Sequence, residues 1–206
     1  ELEIEMRIRQ VEEDWNDQTF TFAEFRNRGQ ITLKGNATQA ILDSIDDSQA
    51  SLAGMKTSRF VAPFKAEITQ WLSKFSTVSD VVELWLEVQA TWVHLESVFT
   101  SKDIMMKLPR EAKRFAQVDK NWVKVMGKAG ENPNVISLCC GSDFVQNMLP
   151  HLKDQLEICQ KALAGHLEAK RNAFPRFAFV SDTVLLDILS QTQDPGSIQT
   201  HLTSLF

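Results

Sequence analysis

Apolar positions along this chain recur mostly at helical spacing. Leu2, Ile4, Ile8, Val11 and Trp15 predict a helix from Glu1 to about Asn16. The pattern then switches to alternation. Phe20 and Phe22 fall on one side of TFTFAEF, RNRG follows as a turn, and QITLKG makes a second short strand, so a β-hairpin is expected from about Thr19 to Lys34. A lone two-stranded ribbon is marginal, and this one must lie on helices through Phe20, Phe22, Ile31 and Leu33. Helices are expected from about Thr38 to Met55, with Ile41, Leu42, Ile45 and Leu52 inward, and from about Pro63 to Phe75.

The clearest pattern follows. Val78, Val81, Trp85, Val88, Trp92, Leu95 and Phe99 advance by alternating steps of three and four, an unbroken coiled-coil-like seam. Two indoles in one seam need a thick partner surface, and a free coiled coil would prefer aliphatic residues there. The seam reads as core, with a partner groove as the alternative. TSKDIMMKLP reads as a turn. A helix from Pro109 to about Lys128 turns Phe115, Val118, Trp122, Val125 and Met126 inward, and GKAGENPN breaks it. VISLCC is a short apolar piece before Gly141. Ser142 is the expected N-cap of the longest helix, Asp143 to about Asn172, which Pro150 should kink or split. FPRFAFVS reads as extended, with Phe177 and Phe179 alternating. Ser181 caps a short helix, and Asp194 with Pro195 opens a last one. The fold class expected is mainly α, an elongated stack of antiparallel helix bundles with one short hairpin.

Composition narrows the function. Of 206 residues, 43% are hydrophobic and 24% charged, so a packed core can form. The net charge of -5 excludes the concentrated basic face of a nucleic-acid binder. No apolar run reaches the ~20 residues of a membrane span. Cys139, Cys140 and Cys159 form no disulfide framework, and a reducing compartment fits best. The vicinal pair reads as small buried hydrophobes, or less readily as an oxidant sensor.

Candidate chemistry is sparse. The one Gly-Lys pair, Gly127-Lys128, lacks an upstream glycine and is followed by Ala129, so no phosphate cradle is built. His94, His151, His166 and His201 offer no pair at metal-ligand spacing. Glu12, Glu13 and Asp14 read as a solvated helix face, and Lys170 and Arg171 as cations complementing a helix C-terminus. No catalytic, cofactor-binding or metal-ligating residue is expected. The loop FPRFAF is less ordinary: Phe174, Arg176, Phe177 and Phe179 either tuck between helical layers or display anchors for another surface.

Two long strings carry a resemblance. VELWLEVQATWVHLESVFTSKDIMMKLPREAKRF places Trp85, Val88, Gln89, Trp92, Leu95, Glu96, Phe99, Asp103, Ile104, Leu108, Pro109 and Glu111 in a pattern that resembles the linker region of dynein heavy chains. LEICQKALAGHLEAKRNAFPRFAFVSDTVLLDILSQ is similar to that region too, its pattern met from Cys159 through Gln191. ILSQTQDP resembles the axonemal branch, and PNVISLCCGSDFVQNMLPHLKDQ the outer-arm gamma type. His166 and Ala178 depart from the pattern, which commonly has Tyr and a bulky aromatic there.

The resemblance implies a partial linker over residues 1–206. In the family, that lever arches across the six-module AAA+ ring and swings as ATP turns over. ATP and magnesium then belong to the absent ring, and no cofactor sits in this segment. The implied partner is the AAA+ ring of the same heavy chain. Other dynein subunits and microtubules would be engaged only through the full-length protein, without nucleic acid or membrane. The implied location is cytoplasmic, in the axoneme of a cilium or flagellum. Phe174, Arg176, Phe177 and Phe179 become candidate ring-contact residues. Gly127, Gly130 and Pro150 are candidate hinge points, with a possible subdomain break near 127–142. Trp85, Val88, Trp92, Leu95 and Phe99 are the stiff seam. The chain is read as an excised segment, and sequence downstream of Phe206 should bring a strand and a phosphate-binding loop. The competing classes are a helical scaffold or tether unrelated to motors, favoured by uniform three-helix repeats, and last a small helical enzyme.

Overall fold

The computed structural model describes residues 1–190. Within them the chain is mainly α, as expected. Eight helices occur: α1 (Leu2–Asn16), α2 (Gly35–Met55), α3 (Lys65–Phe99), α4 (Lys102–Lys107), α5 (Pro109–Glu131), α6 (Val135–Gly141), α7 (Asp143–Ala173) and α8 (Asp182–Ser190). The two strands, β1 (Phe22–Ala23) and β2 (Thr32–Leu33), pair antiparallel with Phe22 opposite Leu33 and Ala23 opposite Thr32. The helix expected at Asp194 and Pro195, together with His201, lies outside the described residues.

The chain divides into two compact units. Among the described residues, one holds 1–89 and 121–152, the other 90–120 and 153–190. In the first, Ile4, Ile8, Val11 and Trp15 of α1 are buried, and the Trp15 ring lies 5.1 Å from that of Phe75 on α3. Ile41, Ile45 and Leu52 of α2 join them, as do Trp122, Val125, Met126 and Ala129 of α5. In the second unit, Trp92, Leu95 and Phe99 pack with Phe115 and Val118, and Phe99 stacks on Phe115 at 5.5 Å. Leu156, Cys159, Leu163 and Leu167 of α7 are buried there too.

Several local expectations are corrected. The two helices expected on either side of Phe75 are one helix, α3, of 35 residues, longer than the 31 of α7. No Gly or Pro falls inside α3, and Ile68, Trp71, Phe75, Val78 and Val82 carry a single buried face through the serines of that stretch. Val82, not Val81, is the buried residue of that turn. The hairpin lies where expected, with the Lys34 N–H donating to the Thr21 carbonyl at 2.9 Å, but only Phe22–Ala23 and Thr32–Leu33 form regular strand. Its buried anchors are Phe20, Phe25, Thr32 and Leu33, with Phe22 and Ile31 only half-buried. TSKDIMMKLP contains α4, and VISLCC opens α6, N-capped by Asn134, whose Oδ1 accepts from the Ser137 N–H at 2.9 Å. FPRFAFVS is not extended: Pro175–Phe177 form a 3-10 turn. Gly127 and Gly130 do not break α5, which runs to Glu131, and Pro150 does not split α7. Leu2 is 70% exposed and off the core.

Candidate functional site

The aromatic loop after α7 brings together the residues singled out as surface anchors. Phe174 is 45% and Phe179 97% exposed, Arg176 is exposed, and Phe177 is half-buried. The Phe174 and Phe177 rings meet edge to face at 6.0 Å, and the Arg176 guanidinium lies 5.2 Å from the Phe177 ring. Of the two readings of FPRFAF, the outward one therefore describes Phe174 and Phe179.

The loop is not slack. Arg171, near the end of α7, donates from Nε and Nη2 to the Val180 carbonyl at 3.2 and 3.0 Å, and from Nη2 to Asp182 Oδ1. Its Nη1 lies 3.5 Å from Glu168. The hydrogen bond to Asp182 pushes the guanidinium pKa further up, so the clamp stays charged. Val180 is buried beside this clamp, and Ser181 Oγ accepts from the Val184 N–H at 3.4 Å, opening α8. Together they hold both ends of the turn and present Phe179 outward. Behind it lies an open pocket of about 420 Å³ lined by Glu168, Arg171, Asn172 and residues 178–181. Sequence reasoning assigned Arg171 to the helix dipole and missed the clamp. An Arg followed at nine residues by an apolar residue gave no signal of it.

The seam residues are buried throughout: Trp85, Trp92 and Leu95 at 0%, Val88 at 1% and Phe99 at 5% exposure. Trp92 Nε1 donates to Asp119 Oδ1 at 3.1 Å. Gln89, beside the seam, was missed as a structural residue. Its Oε1 accepts from the Leu33 N–H at 2.7 Å and its Nε2 donates to the Leu33 carbonyl at 3.1 Å. In an antiparallel pair, alternate residues turn their polar groups away from the partner strand. The Gln89 amide takes the place of a third strand for Leu33, and Trp122 Nε1 donates to the Ile31 carbonyl at 2.9 Å. A polar amide between Val88 and Trp92 was the available signal.

Among the hinge candidates, Gly127, Gly130 and Pro150 are all exposed and helical. His94 and His151 are exposed and His166 is half-buried. The three cysteines are free thiols. Burial raises the pKa of Cys139 and Cys140, and that of Cys159 to about 11, so none is an activated nucleophile. Among the described residues there is no cluster of three metal-ligating side chains, and no helix is long and apolar enough to cross a membrane.

Similarity of the sequence to known proteins gives the family. The family model for the dynein heavy chain, N-terminal region 2, matches residues 1–206. Dynein axonemal heavy chain 5 of Mus musculus is 47% identical over 206 residues, covering 100% of this chain and 4% of that protein. Dynein axonemal heavy chain 8 of Homo sapiens is 50% identical over 202 residues, covering 98% of this chain and 4% of its own. The dynein gamma chain of the flagellar outer arm of Chlamydomonas reinhardtii is 44% identical over 201 residues, again 98% and 4%. The chain thus spans 4% of the length of each of these relatives. The chain belongs to the dynein heavy chain family, within its N-terminal region 2.

Proposed function

We propose that this segment is part of the mechanical linker of an axonemal dynein. It would carry the ATP-driven shape change of the motor's AAA+ ring into movement of a cilium or flagellum, without chemistry of its own. The observation that carries the reading is the match along the whole chain to heavy chains named for axonemes and flagella. The segment works in the axoneme, and its ATP and magnesium sites lie elsewhere in the same polypeptide.

The physical demands of a lever support this reading. A lever must transmit force without softening, and helices satisfy their backbone hydrogen bonds internally while close-packed seams resist shear. The contact through which it is driven must be pre-shaped, because ordering a loop on binding opposes association. The Arg171 clamp meets that demand for Phe174, Arg176 and Phe179, which we assign as the ring-facing contact. The alternative of a scaffold built from uniform repeats is disfavoured by helices of 6 to 35 residues and by the hairpin.

The test is a full-length heavy chain carrying Phe179→Ala with Arg176→Ala. Truncating an aromatic anchor weakens a contact by about 2 kcal/mol. Microtubule gliding should slow while ATP hydrolysis continues, so that work per ATP falls. Gliding and hydrolysis both at the wild-type rate would overturn the ring-contact assignment and the lever reading built on it.

A further inference from the structure

The loop after α7 carries two arginines whose N–H donors are in opposite states. Those of Arg171 are used inside the loop. Nε and Nη2 donate to the Val180 carbonyl, Nη2 also to Asp182, and Nη1 faces Glu168. The carboxylates at either end of the loop, Glu168 and Asp182, are thereby both held by Arg171. Arg176 is exposed, and its guanidinium carbon lies over the Phe177 ring at 5.2 Å. A ring contact of that kind is not a hydrogen bond. Among the described residues, the five N–H donors of Arg176 meet no protein acceptor and no carboxylate pairs with them.

The apolar neighbours decide what must meet those donors. The Phe177 ring under Arg176 meets Phe174 edge to face, and Phe174 and Phe179 are both exposed. A surface that covers these phenylalanines also strips water from the guanidinium set among them. Arginine cannot shed its proton to escape that environment. A charge buried without a partner is strongly unfavourable. A carboxylate is the acceptor that fits, because it takes two N–H groups in parallel and neutralises the charge at the same time.

We propose that the surface of the AAA+ ring meeting this loop is an apolar socket with an aspartate or glutamate at its rim, and that this carboxylate takes Arg176. The proposal rests on the ring-contact reading of Phe174, Arg176 and Phe179, and adds the chemistry of the partner. The phenylalanines supply apolar area without direction. The paired hydrogen bonds of the guanidinium fork set the orientation of the loop on the ring, which a point charge would not.

Full-length heavy chains carrying Arg176→Lys, Arg176→Gln or Arg176→Glu, each with Phe179 intact, test the socket. Gliding speed should fall in that order while ATP hydrolysis continues, the glutamate being slowest because it faces a like charge. The denaturation midpoint should not move, since Arg176 is exposed. Arg176→Lys also places an amine where a carbodiimide can join it to a carboxylate in direct contact. Mass spectrometry should then find residue 176 joined to an Asp or Glu of the same heavy chain, outside residues 1–206. Wild-type gliding in the Gln and Glu variants, a link confined to residues 1–206, a link to another subunit, or no link would each overturn the acidic socket. Slowed gliding in Phe179→Ala alone, with these variants at the wild-type rate, would leave the ring contact standing and remove its acid. No effect from any of the variants, Phe179→Ala included, would remove the ring contact itself.

Discussion

Gln89 illustrates how one polar side chain secures a fold. Leu33 is buried, and its N–H and carbonyl are both met by the Gln89 amide. Removing that amide leaves a buried donor and acceptor unpaired, each costing about 1–3 kcal/mol. Gln89→Ala should therefore lower the urea midpoint by an amount equal to at least one such penalty, while Gln89→Glu, which sets a carboxylate against the Leu33 carbonyl, should do no better. His166 acts through its charge. Its pKa is lowered from 6.5, first by burial, then by Lys170 and Lys107, with Asp103 opposing. The unfolded chain therefore binds the proton more readily than the folded one. Above 6.5 neither state is protonated and nothing is lost. As pH falls through 6.5 stability drops, until the folded imidazole also protonates. Thermal melts at pH 7.5 and 5.5 should show this loss, and His166→Gln should reduce the difference between them.

At the scale of elements, α3 sets the pattern for what was legible. The three-and-four spacing from Trp85 to Phe99 identified its buried face, because each seam residue reads its own burial from its neighbours on the same helix. What failed was local. Serines at 73, 76 and 79 resemble a helix end, yet a helix packed through Phe75, Val78 and Val82 continues past them, since tertiary burial outweighs a weak propensity. Leu2 matched the spacing but found no neighbour. The strands shrank because the sheet is carried by Gln89 and Trp122 from helices distant in sequence, which alternation cannot reveal. α3 itself is sensitive at Trp92, fully buried and bonded to Asp119. Trp92→Ala should destabilise the chain by about 3–5 kcal/mol in chemical denaturation, the range for deleting a buried aromatic side chain. A change near zero would mean that the indole is not part of a close-packed seam.

For the whole molecule, stability and output should separate by residue. The aromatic loop was visible in the sequence as an unusual string, but its pose was not, because the Arg171 hold on Val180 depends on the chain turning back after α7. That turn is what puts Phe179 at 97% exposure while Val180, the next residue, is buried. A side chain with so little contact contributes almost nothing to folding, and surface changes of this kind stay within about 0.5 kcal/mol. Phe179→Ala should therefore leave the denaturation midpoint where it was, in contrast to Trp92→Ala. On the proposed ring-contact role, its effect belongs to the contact with the rest of the heavy chain. Arg171→Ala supplies the link between the two, since it frees the Val180 carbonyl and Asp182 without touching Phe179. If presentation is what matters, Arg171→Ala should slow gliding in the same direction as Phe179→Ala even though the phenylalanine is still there. Normal gliding with the clamp removed would mean that the loop finds its partner without being held.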